Sequence, residues 1–154
     1  MIKHTKPFVL ILYNIRSCFN VGAIFRTADA AGITKIFLGG ITPAPPHPKI
    51  DKVALGAEKS IPFESWRHTK RALKKLKTAG YNIVALEQSK KSISYTKFRP
   101  KYPLALLLGS EVKGLPSNLL KECHEIIEIP MYGKKESLNV AIASGITIFE
   151  IVNK

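Results

Sequence analysis

The sequence has few cysteines, few acidic side chains and no long apolar run. Its two cysteines, Cys18 and Cys123, are too few for a disulfide framework or a cysteine-based metal site, and they favour reduced cytosolic thiols. No apolar run reaches the roughly 20 residues that a transmembrane helix requires. The short apolar run near the N-terminus lacks a small-residue cleavage site and predicts a first strand rather than a signal peptide. We therefore expect a cytoplasmic protein without a membrane segment.

Positive charge is the most unusual feature of the composition. Lysine and arginine total 24 against 11 acidic residues, a formal net charge of +13. Such an excess favours a polyanionic partner, most often a nucleic acid. A generic basic surface or a lysine-rich compositional bias would give the same balance, and this alternative stays open at this point.

Motifs of two common cofactor sites are missing. No G-x-G-x-x-G follows the first predicted strand and no G-x-x-x-x-G-K-[ST] occurs, which disfavours simple dinucleotide or P-loop chemistry. The four histidines are scattered without the spacing of metal ligands, so no metal site is predicted. These are His4, His47, His68 and His124.

Apolar runs alternate with helical patterns along the chain, without repeats or linkers. This alternation predicts one α/β domain over residues 1–154, with a mostly parallel sheet flanked by helices and no extra RNA-binding domain. Gly32 is the predicted stop of the first helix, and Trp66 is predicted to face inward from a later helix. Strands are predicted over 8–14, 34–40, 81–87, 103–109 and 126–130, and helices over 20–31, 51–55, 64–80 and 137–152.

Ligands of such folds bind at the carboxyl ends of the strands. This rule selects the residues that follow each predicted strand: Asn14, Gly39, Glu87, 109–111 and 130–133.

The first segment with unexpected polar residues is the helix over 20–31. Asn20, Arg26 and Asp29 interrupt small apolar residues that suit a core. A buried or half-buried arginine is unfavourable unless it is paired. Arg26 therefore pairs with Asp29, pairs with another carboxylate, or binds an anionic ligand.

Two further segments combine strand ends, glycines and polar side chains. Gly109 permits tight backbone geometry, and Glu111 is either a solvated acid or the carboxylate that pairs with Arg26. In the third segment, Ser137 is the predicted N-cap of the last helix. Leu138, directly after it, is a predicted core residue, as is Val140.

Together these segments resemble the SpoU family of RNA methyltransferases, within the SPOUT superfamily. Three motifs in the family's order make a chance match improbable. The first, N-x-G-x-x-x-R-T-A, is matched by Asn20, Gly22, Arg26, Thr27 and Ala28. The second, G-x-E-x-x-G-L, is matched by Gly109, Glu111, Gly114 and Leu115. The third, I-P-M-x-G-x-x-x-S-L-N-V, is matched by Ile129, Pro130, Met131, Gly133, Ser137, Leu138, Asn139 and Val140.

The resemblance implies a fold, a partner and an activity. It implies a C-terminal deep trefoil knot, a homodimer, a bound S-adenosyl-L-methionine, and methyl transfer to a ribose 2′-OH of tRNA or rRNA. Since no extra RNA-binding domain is expected, tRNA is favoured over rRNA. A SPOUT base methyltransferase and a non-catalytic RNA-binding dimer of the same fold are the alternatives.

The resemblance also assigns roles to residues. Arg26 would be the catalytic arginine that binds the phosphate beside the target ribose. A role as general base would first require the guanidinium to lose a proton, which it holds tightly. Glu111 would orient Arg26, while Asn20 and Asn139 would hold the site and the ribose. Ser137 would contact the same site. The implied cofactor pocket consists of Leu86, Gly109, Ile129, Met131, Ser137 and Leu138.

One basic stretch remains open to two interpretations. The run KRALKKLK, residues 70–77, is either a solvated helix face or a stripe that contacts RNA phosphates.

Overall fold

The computed structural model describes residues 5–154, so His4 lies outside the described part. All pairings of its seven-stranded sheet are parallel, which confirms the predicted α/β class. None of the helices in the described range is long and apolar enough to cross a membrane. The strands are β1 (Phe8–Tyr13), β2 (Lys35–Gly39), β3 (Phe63–Trp66), β4 (Asn82–Leu86), β5 (Ile93–Ser94), β6 (Leu104–Leu108) and β7 (Glu125–Glu128). The helices are α1 (Cys18–Ala31), α2 (Pro48–Ala54), α3 (Ala57–Ser60), α4 (Thr69–Thr78), α5 (Ser117–Leu120) and α6 (Val140–Val152).

The strand order places a late strand at the centre of the sheet. The order is β3-β2-β1-β6-β4-β7-β5, so β6 lies between β1 and β4. Leu106 of β6 is aligned with Leu10 of β1 and with Val84 of β4. All five residues of β6 are buried, as a parallel strand covered on both faces requires. The crossovers bring the carboxyl ends of β4, β6 and β7 to one edge.

Each face of the sheet has its own hydrophobic core. Alternate side chains of β1 point to opposite cores: Leu10 to the core shared with α1, α2 and α6, and Ile11 to the core shared with α4 and α5. On α4, the predicted inward residues Ala72, Leu73 and Leu76 are buried. The cationic side of α4 consequently faces solvent.

Helix α1 approaches α2 closely at a glycine. A Cβ atom at Gly22 would lie 2.6 Å from the carbonyl oxygen of Ile50, which is inside van der Waals contact. The helix begins two residues earlier than predicted, with Ser17 as its N-cap, and ends at Gly32 as predicted. Gly32 has φ 77°, a conformation that favours glycine. The glycine of the first motif thus serves the packing of α1.

The predicted helix over 64–80 is wrong in its first part. Phe63–Trp66 forms strand β3 and pairs with β2, and the helix begins at Thr69. Edge pairing with the sheet overrides the helical pattern here, and Lys35 on β2 fixes it by an ion pair with Glu64 (2.8 Å). Trp66 therefore belongs to a strand. The two-residue strand β5 was too short to be predicted from alternation.

We expect Gly22→Ala to lower the free energy of unfolding by about 1–3 kcal/mol, because the added methyl forces α1 away from α2. Gly145→Ala on α6 is the matched control. Its added Cβ meets only Thr27 Cγ2 at 3.7 Å, so we expect a gain of about 0.5–1 kcal/mol from helix propensity. Urea denaturation measures both, and equal effects of the two substitutions would contradict the close-packing explanation.

Candidate cofactor pocket and active site

A pocket of about 570 Å³ opens at the carboxyl edge of the sheet. Its walls come from the residues after β4, β6 and β7 and from the starts of α1 and α6. All six residues of the predicted cofactor pocket line it, and so do three of the other predicted site residues. The nine are Asn20, Leu86, Gly109, Glu111, Ile129, Met131, Ser137, Leu138 and Asn139. Arg26 is not among the lining residues.

A chain of side-chain hydrogen bonds joins the three motifs. Asn20 Nδ2 donates to Glu111 Oε1 (3.1 Å), and Asn139 Nδ2 donates to Asn20 Oδ1 (3.1 Å). Asn139 Oδ1 in turn accepts from the backbone N–H groups of Ala141 (2.8 Å) and Ile142 (3.2 Å). Segments far apart in the sequence are thereby fixed against each other beside the pocket.

Glu111 binds the start of α1 and forms no bond with Arg26. Its two carboxylate oxygens accept from the backbone N–H groups of Arg16 and Ser17, each at 3.1 Å. Partial burial raises the pKa of Glu111, but hydrogen bonds from its own backbone, from Arg16 and Ser17, and from Asn20 outweigh this effect, so the pKa is lowered overall. The predicted orientation of Arg26 by Glu111 is absent from the structure.

Arg26 lies exposed on α1. Six residues beyond Asn20, it is about 9 Å further along the helix axis. Within residues 5–154 its guanidinium forms no hydrogen bond or ion pair, with Asp29 or any other carboxylate. Because Arg26 is exposed, its charge needs no carboxylate partner, and its binding of an anionic ligand stays a prediction.

The predicted N-cap of the last helix was two residues early. Asn139 is the N-cap of α6, whereas Ser137 is exposed and makes no hydrogen bond within the described chain. Leu138, predicted to lie in the core, is 40% exposed. The side chains that α6 buries are small or lie further along it: Ser144, Thr147, Ile148 and Ile151.

The exposed side of α6 is apolar. Ile142, Ile146 and Phe149 are 57%, 39% and 42% exposed and continue the surface of Leu138. A helix that is hydrophobic all round is normally buried, so this face calls for a covering partner. The helical spacing of these apolar residues does not say which neighbour the helix face packs against.

Two further pocket residues lie directly after β4. The carboxyl-end rule selects Glu87 without giving it a role, and it does not select Gln88. Glu87 Oε2 accepts from the N–H of Leu115 (2.8 Å), and Gln88 Nε2 donates to the carbonyl of Glu136 (2.7 Å). No sequence pattern marks these contacts, since they depend on how the later loops return to β4.

Metal ligation has no candidate in this region. Among residues 5–154, no three His, Cys, Asp or Glu side chains are grouped so as to hold a metal ion.

The model of the SpoU rRNA methylase family matches residues 7–149. The chain belongs to this family. The 23S rRNA (guanosine-2′-O-)-methyltransferase RlmB of Salmonella typhi is 34% identical over 98% of the chain and 62% of its own length. The chain thus spans less than two thirds of this curated relative.

Solved structures share the fold along nearly the whole chain. An AdoMet-bound rRNA methyltransferase from Sinorhizobium meliloti has a TM-score of 0.89 and 34% identity, covering 97% of this chain and 57% of its own. A TrmH/SpoU tRNA modifying enzyme of A. aeolicus has a TM-score of 0.88 and 28% identity, covering 98% of this chain and 76% of its own. The α/β architecture is therefore that of the family.

We expect Glu111→Gln to destabilise the protein by about 1 kcal/mol or less near neutral pH, because solvent screens an exposed carboxylate. Folding lowers the pKa of Glu111. The stabilisation is therefore present above the ordinary pKa of 4.5 and is lost as the pH falls through the lower value of the folded state.

Urea denaturation of both proteins, from about pH 7 down to about pH 3, measures this difference. Glu125→Gln is the control, because the Glu125 carboxylate has no hydrogen-bond or ion-pair partner in the described chain. A difference between wild type and Glu111→Gln that widens with acidification would contradict the assignment.

Proposed function

We propose that the chain is an S-adenosyl-L-methionine-dependent RNA methyltransferase that methylates a ribose 2′-OH. The observation that carries the proposal is the Glu111–Asn20–Asn139 hydrogen-bonded chain, which lines the pocket with residues of all three family motifs. Membership of the SpoU family and the AdoMet-bound S. meliloti neighbour support it.

The pocket suits a nucleoside-sized cofactor. About 570 Å³ lies within the range of small-molecule sites, roughly 300–1,000 Å³. Leu86 and Ile129 offer apolar surface to a planar base, beside exposed backbone of the loops. At Gly109 a Cβ would lie 2.7 Å from Leu115 Cγ, so the backbone of the pocket wall can follow this path only with glycine at this position. When bound, S-adenosyl-L-methionine supplies a methyl group on a sulfonium that leaves readily.

The side chains of this protein would position the RNA. A ribose hydroxyl is a weak nucleophile, so its alignment with the methyl group contributes strongly. Asn20 and Asn139 are placed to hold the ribose beside the pocket. Guanidinium groups stay protonated in proteins, so Arg26 would act by binding a phosphate of the RNA in a two-pronged contact.

Ribosomal RNA is the first substrate to test. The relative at 34% identity is named for 23S rRNA, so the sequence-based preference for tRNA gives way to rRNA. The A. aeolicus neighbour is named as a tRNA modifying enzyme, and tRNA is therefore the second candidate. The formal net charge of +13 agrees with either RNA.

We also propose a homodimer that buries the apolar face of α6 together with Leu138, which precedes the helix. Leu138, Ile142, Ile146 and Phe149 are each at least 39% exposed. Burying such side chains contributes about 25 cal/mol per Å² of apolar surface. The family resemblance names a second copy of the chain as the partner.

The family's trefoil knot is proposed for this chain as well. Two observations support it: β6 is inserted between β1 and β4, and the loop before α6 contacts Gln88 through Glu136.

We expect the protein to transfer label from methyl-labelled S-adenosyl-L-methionine to rRNA, giving dinucleotides that resist alkali. Alkaline cleavage needs a free 2′-OH, so resistance identifies ribose methylation. Arg26→Ala should reduce the rate on the order of 100-fold or more, because it removes a charge contact to the phosphate beside the target ribose. Arg26→Lys keeps the charge but loses the two-pronged geometry, so its transfer rate should lie between those of the wild type and Arg26→Ala.

Label on a base would contradict the ribose assignment and favour a base methyltransferase. RNA binding without transfer to rRNA or tRNA would favour the non-catalytic dimer.

Ile142→Asp should shift the protein from dimer to monomer in sedimentation experiments, because it places a charge in the proposed apolar interface. Ile41→Asp is the matched control, since Ile41 is 61% exposed and lies in the loop after β2 rather than on α6. A wild type that sediments as a monomer at all concentrations would contradict the dimer.

A further inference from the structure

Two adjacent residues at the end of β4 each contact a different loop of the pocket. One loop comprises residues 109–115, after β6, and the other comprises residues 130–138, after β7. Neither loop belongs to a regular helix or strand. Their positions therefore depend on the few contacts that tie them to the sheet.

Glu87 fastens the loop after β6 to the end of β4. Its Oε2 accepts from the Leu115 N–H (2.8 Å), and its Oε1 accepts from the Gln88 N–H (2.9 Å). The carboxylate also fills the space beside Gly114, where a Cβ atom would collide with it, and Gly114 has φ 64°. The loop also bonds within itself, through Ser110 and Gly114, and Glu111 ties it to the start of α1. Glu87 is its anchor on the β4 side.

Gln88 holds the second loop by a single bond. Its side-chain amide donates to the Glu136 carbonyl at 2.7 Å. Within residues 5–154 this is the only hydrogen bond that any atom of residues 130–138 makes. The segment is largely exposed, so loss of this bond leaves its backbone free to move between β7 and the N-cap Asn139.

We propose that Glu87 and Gln88 are positioning residues that preorganise the two loops for cofactor binding. Glu87 sets the loop that carries Gly109 and Glu111, and Gln88 sets the loop that carries Met131 and Ser137. The two loops form much of the pocket, so loosening either makes binding order it first, which weakens affinity. The inference rests on the proposed function for the identity of the cofactor.

The test uses the full chain with Glu87→Gln, Glu87→Ala and Gln88→Ala. Calorimetry measures the Kd of S-adenosyl-L-methionine, and hydrogen exchange measures each loop without the cofactor. We expect Glu87→Ala to raise the Kd about tenfold or more and Gln88→Ala to raise it by about threefold to tenfold, since each removes a hydrogen bond from a loop. Glu87→Gln retains one carbonyl acceptor and should be intermediate.

Exchange should show which residue holds which loop. Glu87→Ala should accelerate exchange in residues 109–115 only, and Gln88→Ala in residues 130–138 only. In turnover assays the KM for the cofactor should rise while kcat changes less than about twofold, because the reacting groups are untouched.

Two control variants match the changes in chemistry. Glu125→Gln removes a carboxylate at the opposite end of β7. Asn153→Ala removes a similar exposed bond, from Asn153 Nδ2 to the Phe149 carbonyl (2.7 Å), outside the pocket. Both should leave the Kd unchanged.

The outcomes separate the inference from the proposed function. Unchanged loop exchange, or a wild-type Kd in both Glu87→Ala and Gln88→Ala, would overturn the inference while the function stands. If the wild type binds no S-adenosyl-L-methionine, the proposed function fails and the role in cofactor binding falls with it. Equal loss of cofactor binding and of the unfolding midpoint would show a general structural role and would also overturn the inference.

Discussion

Two hydrogen bonds between side chains hold the site together across the chain. Asn20 is 91 residues from Glu111 and 119 residues from Asn139, and it bonds to both. These bonds form only because parallel crossovers place the starts of α1 and α6 and the end of β6 at one edge of the sheet. An exposed hydrogen bond contributes little on its own. Its value here is positional, since Glu111 and Asn139, the two ends of the chain of bonds, also accept from backbone N–H groups.

Much of the fold was predictable because its signals are local. The buried strands β1, β4 and β6 appear as apolar runs, and Gly32 ends α1 where its conformation requires glycine. Strand β3 was not predictable, because Phe63–Trp66 takes its structure from pairing with β2 rather than from its own pattern. Sheet order also follows from no local signal. It depends on which strands meet in the folded chain.

The site shows the same division between local and distant information. The motifs identified the residues around the pocket but not their contacts. Glu111 illustrates the difference. A carboxylate in the second motif and an arginine in the first suggest an ion pair, whereas in the folded chain Glu111 accepts from two backbone N–H groups and an asparagine. On α6, Ile142 and Phe149 have the spacing of a helix's apolar face, and both are exposed. Spacing reports that a face is apolar and leaves open what covers it.

The use of Glu111 has a consequence for the charge of Arg26. The Glu111 carboxylate accepts from Arg16, Ser17 and Asn20 and forms no ion pair with Arg26. Arg26 lies on the exposed side of α1 without a carboxylate partner among residues 5–154, so no desolvated ion pair must be broken before it binds an anion. A phosphate offers the paired oxygens that match its geometry. By fixing α1 through backbone groups, the second motif positions the first without pairing with its arginine, which leaves Arg26 available for the proposed contact with an RNA phosphate.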